Sequence, residues 1–369
     1  MPDMRFAPPK QLRIADRTDG LNPERVRSYN ERLVLSLLLV NDGISRLELG
    51  VRTKLSAQTV SVIVRSLEHE GLLSRGEAMR GRVGPPTIPI SLNPNGAFSV
   101  GVDLAPWQSE VVLIDFLGGV RFRAELPPGT AAGPATSDPI HRAIQRALEE
   151  LSTEDRARVT GIGLAIPENS QASSTQTTAS ADELSLQRDL ELRFGLPVFI
   201  QNDITAAAGA EMLFGATKHA NDHLYFYLGA ALHSRLVLNN HVYTGNYEVA
   251  PTSVDVGILA LQKRAVKERG SQLDLHDDSD WKDLGETLDR WRSDCVGALK
   301  QSTRAIAQFV DIRAVVLATS VPQHVIDAIC ADLQRAVPEL KVERGSVRTA
   351  PKAVGAGSLP LFSRFTVQS

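Results

Sequence analysis

Closely spaced helix signals near the amino terminus constrain the fold more than any other feature of the sequence. Apolar residues at helical spacing predict a first helix over residues 25–40, and the turn at residues 41–43 ends it. Ser45 followed by Glu48 is a capping box, in which the two side chains satisfy free backbone N–H groups of a first helical turn. A second, short helix is therefore predicted to end near residue 51.

The third predicted helix starts after Ser56, ends at Gly71 and is amphipathic. Its apolar residues recur at i, i+3, i+4 and i+7 and predict a buried stripe of Val60, Ile63, Val64 and Leu67. The opposite stripe consists of Gln58, Ser61, Val62 and Arg65. Apolar runs at 72–74 and 87–92 flank an Arg/Gly/Pro-rich segment and predict a hairpin. This order of elements predicts a winged helix-turn-helix over residues 22–93.

A winged helix-turn-helix implies double-stranded operator DNA as a partner, because its recognition helix enters the major groove. Amide, hydroxyl and guanidinium groups can read base edges or bind phosphates. Arg80 and Arg82 flank a glycine and resemble an AT-hook core, which predicts a minor-groove contact. A solvated helix face and an ordinary charged turn are the alternatives. The predicted DNA-binding residues are Arg46, Gln58, Thr59, Ser61, Arg65, Arg80 and Arg82.

The charge distribution favours a DNA-binding head on an acidic body. Residues 1–92 hold 14 Lys plus Arg against 10 Asp plus Glu, a net charge of +4, whereas the remainder carries −7. Chance variation along the chain is the alternative.

The two cysteines, Cys295 and Cys330, have no spacing typical of a disulfide framework or zinc ribbon. With no apolar stretch of ~18 residues, the protein is predicted to be cytoplasmic and to have no membrane partner.

Beyond residue 98 the sequence alternates between strand and helix patterns, which predicts an α/β domain. Residues 94–219 are predicted as its first lobe and residues 220–369 as its second. An alternative in which the carboxy-terminal segment returns to the first lobe stays open. Residues 1–21 lack periodicity and are predicted to be a disordered tail.

Several motifs resemble the ROK family of repressors, open reading frames and kinases. The head matches at Ser45-Arg46-Leu47-Glu48-Leu49, and the body matches at Val100-Gly101-Val102-Asp103-Leu104 and Gly161-Ile162-Gly163-Leu164-Ala165-Ile166-Pro167. Asn202-Asp203 and then Glu211 follow in the family's order. The resemblance implies an N-terminal winged helix-turn-helix followed by a two-lobed actin/hexokinase-like (ROK) domain.

Departures from the family's kinase motifs imply that ATP is not bound and that no residue is catalytic. Family kinases carry a glycine-rich phosphate turn after the first aspartate, whereas Asp103 is followed by Leu104-Ala105-Pro106-Trp107. The second phosphate turn reads Gly229-Ala230-Ala231-Leu232-His233, and the nucleotide-side double glycine is replaced by Ala318-Thr319-Ser320. The family's zinc motif is also absent from Val249-Ala250-Pro251-Thr252-Ser253-Val254 and the residues after it. Neither a metal nor a cofactor is therefore predicted.

The resemblance leaves a set of polar residues for a sugar or sugar-derivative effector. In active kinases the aspartate that matches Asp203 is the general base, and a carboxylate there can equally accept hydrogen bonds from a bound sugar. An alternative is that Asp203 only caps the helix that begins near Thr205. The predicted effector-binding residues are Glu168, Asn202, Asp203 and Glu211.

Three functions remain in competition. The leading hypothesis is a homodimeric or homotetrameric transcriptional repressor of carbohydrate metabolism whose effector shifts the spacing of its DNA-binding heads. The second is a carbohydrate kinase with a DNA-binding head. The third is a ligand-independent regulator whose body only oligomerises.

Overall fold

The computed structural model describes residues 23–41, 43–77, 88–105, 109–127, 130, 137–167, 180–216, 222–243, 255–275 and 277–367. The predicted tail, the predicted minor-groove arginines Arg80 and Arg82, the predicted effector residue Glu168 and the segment 249–254 lie outside the described residues. In the described ranges, no helix is long and apolar enough to cross a membrane.

The regular elements alternate along the chain as follows. The helices are α1 (Pro23–Val40), α2 (Arg46–Thr53), α3 (Ala57–His69), α4 (Ser137–Glu149), α5 (Thr153–Arg156), α6 (Ala181–Phe194), α7 (Asp203–Phe214), α8 (Ile258–Arg269), α9 (Asp278–Lys282), α10 (Glu286–Ala307), α11 (Gln323–Ala336) and α12 (Pro351–Phe365). The strands are β1 (Leu73–Arg75), β2 (Ile90–Leu92), β3 (Phe98–Asp103), β4 (Glu110–Asp115), β5 (Val120–Glu125), β6 (Val159–Ile166), β7 (Val198–Asn202), β8 (His223–Leu228), β9 (Leu232–Leu238), β10 (His241–Val242), β11 (Ala314–Thr319) and β12 (Lys341–Arg344).

The predicted winged helix-turn-helix is present, with α1 to α3 followed by the antiparallel pair β1 and β2. The Ser45 hydroxyl accepts a hydrogen bond from the Glu48 backbone N–H at 3.1 Å, and α2 follows it. The Glu48 carboxylate, however, accepts from Arg52 at 2.6 Å. Of the predicted capping box, the structure therefore shows the hydrogen bond to the Ser45 hydroxyl, while the Glu48 carboxylate binds Arg52. Ser56 caps α3 through the backbone N–H of Thr59.

The chain forms two compact units. The first comprises Met1–Pro167, Thr178–Asp203 and Lys352–Ser369, and its larger sheet has the strand order β5-β4-β3-β6-β7. Strands β3, β6 and β7 are parallel to one another, and β4 and β5 continue the sheet in antiparallel fashion. Buried apolar residues of α4 and α6 pack on this sheet. The parallel strands all end at one edge, which is where Asp103 and Asn202 lie.

The second unit comprises Glu168–Thr177 and Ile204–Pro351, and its sheet has the order β10-β9-β8-β11-β12. Trp281 and Trp291 are fully buried in its core. The sequence over residues 280–310 predicts a single long helical region, but the structure has two helices there. Helices α9 and α10 are separate, because Gly285 adopts a φ of +48° between them, a conformation that an α-helix cannot contain.

The division into units differs from the predicted lobe boundary at residue 219. The first unit ends at Asp203 and the second resumes at Ile204, because Ile204, Ala207 and Ala208 of α7 pack against β8 and β11. The carboxy-terminal helix α12 belongs to the first unit from Lys352 onward.

Candidate DNA-binding and effector sites

The outer face of α3 carries most of the predicted DNA contacts. Gln58 and Arg65 are exposed, and Ser61 is half-buried on the same side. The predicted inner stripe is fully buried, with exposures of 0 to 4% at Val60, Ile63, Val64 and Leu67. Thr59 is half-buried, and its hydroxyl lies 2.8 Å from the Ser56 hydroxyl. In this conformation the Thr59 hydroxyl is occupied by the helix cap.

A basic cluster at the end of α3 includes the predicted phosphate contact Arg46. The guanidinium of Arg46 lies 3.6 Å from the Glu68 carboxylate. Arg75, at the end of β1, donates two hydrogen bonds of 2.5 Å to the same carboxylate. These bonds from Arg75 lower the pKa of Glu68, and the charges of Arg46 and Arg65 act in the same direction. The sequence analysis did not include Arg75 among the predicted DNA-binding residues. Its position at the start of the hairpin, beside a basic segment, could have indicated this role.

The three arginines outnumber the Glu68 carboxylate on which their charges act. One carboxylate faces three guanidinium groups, and those of Arg46 and Arg75 are 41% and 52% exposed. Exposed arginines are suited to bind DNA phosphates without reading sequence. Arg75 therefore joins Arg46 as a candidate phosphate contact.

A second candidate site lies in the first unit at the carboxyl ends of β3 and β7. Asp103 and Asn202 end these strands, and Asp203 begins α7. Lys352 of α12 donates a hydrogen bond of 2.5 Å to Oδ2 of Asp203, and the two side chains are 15% and 6% exposed. The structure thus places a lysine against the predicted effector aspartate, a partner that the sequence analysis did not identify.

Asp103 is the most perturbed carboxyl of this site. Its pKa is raised to about 7, mainly by burial; the nearby charge of Lys352 lowers the pKa, and the charges of Asp203 and Glu110 raise it. Among the described residues, Oδ1 of Asp103 has no hydrogen-bond partner. A carboxyl group that is shared between protonated and ionised forms near neutral pH can either donate or accept a hydrogen bond.

This pKa predicts a pH-dependent stability. Between about pH 4 and pH 7 the folded chain holds a proton on Asp103 that the unfolded chain has lost, so stability falls as pH rises, by at most about 1.4 kcal/mol per pH unit. The Asp103→Asn variant keeps the shape without the charge. We expect this variant to be more stable than the wild type at pH 8. Its free energy of unfolding, measured by denaturant titration at several pH values from 4.5 to 8, should fall less steeply with rising pH. An unchanged slope would refute the assignment.

Glu211, another predicted effector residue, lies buried in the second unit. Its carboxylate accepts hydrogen bonds from the backbone N–H groups of Ser346 and Val347, at 2.9 and 3.0 Å, and from the Ser346 hydroxyl at 2.6 Å. It therefore holds the loop after β12. This geometry favours a structural role, and effector binding by Glu211 stays a prediction.

The residues of the second phosphate turn make their hydrogen bonds within the second unit. The backbone N–H groups of Ile258 and Leu259, at the start of α8, donate to the carbonyl oxygens of Gly229 and Ala230 at 2.8 and 3.3 Å. A Cβ atom at Gly257 would overlap Ala230, which shows how closely the helix start approaches this turn. Free N–H groups at a helix start are what a phosphate needs, and here two of them are bonded to the protein itself.

Residues 100–253 match the sequence model of the ROK family, and residues 27–74 match that of a winged helix-turn-helix DNA-binding domain. The chain therefore combines a winged helix-turn-helix with a ROK family domain. Its fold is also that of a crystal structure of a ROK family transcriptional regulator, a homologue of the E. coli MLC protein. That comparison has a TM-score of 0.65 and 16% identity, and it covers 92% of this chain and 98% of the other.

Two curated relatives are similar to this chain over different lengths. The uncharacterized protein y4fQ of Sinorhizobium fredii is 25% identical over 92% of each chain. The xylose repressor of Bacillus spizizenii is 26% identical over 60% of this chain and 58% of its own length.

The described part of the chain contains no group of three or more His, Cys, Asp or Glu side chains that could hold a metal ion.

Proposed function

We propose that this chain is a transcriptional repressor that binds operator DNA through α3 and releases it when a sugar or sugar derivative binds the ROK domain. The observation that carries the proposal is the exposed face of α3 within a winged helix-turn-helix joined to a ROK domain. Gln58, Ser61 and Arg65 read bases on this face. Arg46 binds phosphate, and Arg80 and Arg82 reach the adjacent minor groove.

Sugar control is supported by the repressor branch of the family. A relative of this chain is named for repression and for xylose, although its name does not fix the sugar that this chain binds. Two heads of a homodimer or homotetramer occupy the half-sites of a palindromic operator. The effector must favour an arrangement with poor operator geometry, since a ligand shifts only an equilibrium whose two states it binds unequally.

The function is tested by selecting duplexes from a random pool with the full-length protein and then measuring affinity for the enriched sequence. A panel of sugars, sugar phosphates and polyols is screened for a rise in thermal midpoint, and each hit is tested for release of the selected duplex. An enriched palindrome and a releasing sugar support the proposal. Specific DNA binding without any stabilising or releasing sugar supports instead the ligand-independent regulator, in which the body only oligomerises.

A carbohydrate kinase is the competing function from the enzyme class, and Asp203 is the residue on which it depends. Its Oδ2 already accepts a hydrogen bond from the Lys352 ammonium. At the start of α8, two backbone N–H groups already donate hydrogen bonds to carbonyl oxygens of the second phosphate turn, so they are not free to bind a phosphate. Both features support binding without phosphoryl transfer.

We therefore expect no ATP-dependent phosphorylation of any sugar in the panel and no stoichiometric zinc. A coupled assay for ADP release and elemental analysis measure the two. Sugar phosphorylation that is lost in the Asp203→Asn variant would establish the kinase, and one zinc per chain would overturn the absence of a metal.

A further inference from the structure

Val62 is the one apolar side chain in the middle of the proposed DNA-reading face. It is 56% exposed, whereas the other valines and the isoleucine of α3 are buried, with exposures of 0 to 4% at Val60, Ile63 and Val64. Val62 lies four residues after Gln58 and three before Arg65, so all three side chains are on one side of the helix.

The chemistry of the neighbours indicates what Val62 would meet. Gln58 and Arg65 present polar groups suited to the donors and acceptors of base edges, but the major groove also presents one apolar group, the C5-methyl of thymine. Branched aliphatic side chains have no polar atom with which to contact any other base edge. The two methyl groups of Val62 are complementary to the thymine methyl alone.

We propose that Val62 reads the 5-methyl group of a thymine in the major groove. This inference rests on the proposed DNA-binding function and specifies one base of the operator. Four residues of α-helix span about 6 Å, and base pairs are stacked about 3.4 Å apart. The thymine therefore lies one or two base pairs from the base that Gln58 contacts.

The test uses the full-length protein and the duplex enriched from a random pool. Each thymine of a half-site is replaced in turn by deoxyuridine, which removes the methyl group and keeps the base pairing. At one position per half-site, we expect the wild type to lose about fourfold in affinity, the factor for one buried methyl group. The Val62→Ala variant should lose a similar factor on the thymine duplex and then show no further loss on the deoxyuridine duplex.

Two further variants distinguish a methyl contact from a general effect. Val62→Thr keeps one methyl group and should retain part of the discrimination at the same position. Val51→Ala removes a valine of comparable exposure, 72%, from α2 and should alter discrimination at no position. Neither valine-to-alanine variant should have a lower thermal midpoint than the wild type, because both valines are largely exposed and alanine is the better helix former.

The possible failures are separable. If Val62→Ala discriminates thymine from deoxyuridine as the wild type does at every position, the methyl-reading role is wrong while the repressor function stands. If no sequence is enriched from the random pool, the proposed DNA-reading function fails, and the role of Val62 fails with it.

Discussion

Replacing Gln58 and Arg65 together by alanine is expected to lower affinity for the selected operator by at least about 30-fold. Both side chains are exposed on the outer face of α3, and each base contact of this kind contributes about 1 to 3 kcal/mol of discrimination. The loss should be largest on the selected sequence. On random duplexes only the lost charge of Arg65 should weaken binding, since Gln58 carries no charge. Fluorescence anisotropy with both duplexes at several salt concentrations measures it.

The matched control is Arg142→Ala/Gln145→Ala, which removes the same two residue types from the exposed face of α4 in the body. Both double variants change the net charge equally, so the control accounts for the loss of one positive charge. An operator affinity that falls equally in both would show that α3 contributes only charge. If the α3 variant binds like the wild type, the assignment of the recognition helix is wrong.

The DNA-binding head was predictable because its signals are local. The buried stripe of α3 repeats every three to four residues, and Ser56 marks its start within a single turn. The reciprocal capping box expected at Ser45 is instead found at Ser180 and Glu183, which cap α6. At Ser45 the serine alone caps the helix, because Arg52 lies one turn after Glu48 and donates a hydrogen bond to the Glu48 carboxylate. A competing partner on the same helix decided that detail.

The candidate effector site was only half predictable. Asp203 was found from its motif, but Lys352, its partner, is separated from it by 149 positions and lies on a helix that the sequence did not reveal. Gly355, Gly357 and Pro360 are poor helix formers, so α12 has a weak local signal. The residues of α12 that approach β3 and β6, including Ala353, Ala356 and Gly357, are small because the helix lies directly on these strands.

That close approach gives the second large prediction, a severe loss of stability in Gly163→Ala. A Cβ atom at position 163 in β6 would overlap the carbonyl group of Ala356 in α12, and one at Gly101 in β3 would overlap that of Ala353. Backbone atoms cannot rotate away as a flexible side chain can, so the helix must move as a body. We expect Gly163→Ala to lower the free energy of unfolding by about 3 kcal/mol or more.

The control is Gly297→Ala in α10, a helical glycine whose Cβ would meet no atom within 4 Å. The same added methyl group should there raise stability by about 0.5 to 1 kcal/mol, because glycine is a poor helix former. Thermal midpoints of the two variants should therefore move in opposite directions.

Helix α12 also carries Lys352, and beyond its end the Val367 N–H donates to the Ser36 hydroxyl of α1 at 3.0 Å. A folded Gly163→Ala variant with unchanged stability would mean that α12 does not lie this close to the sheet.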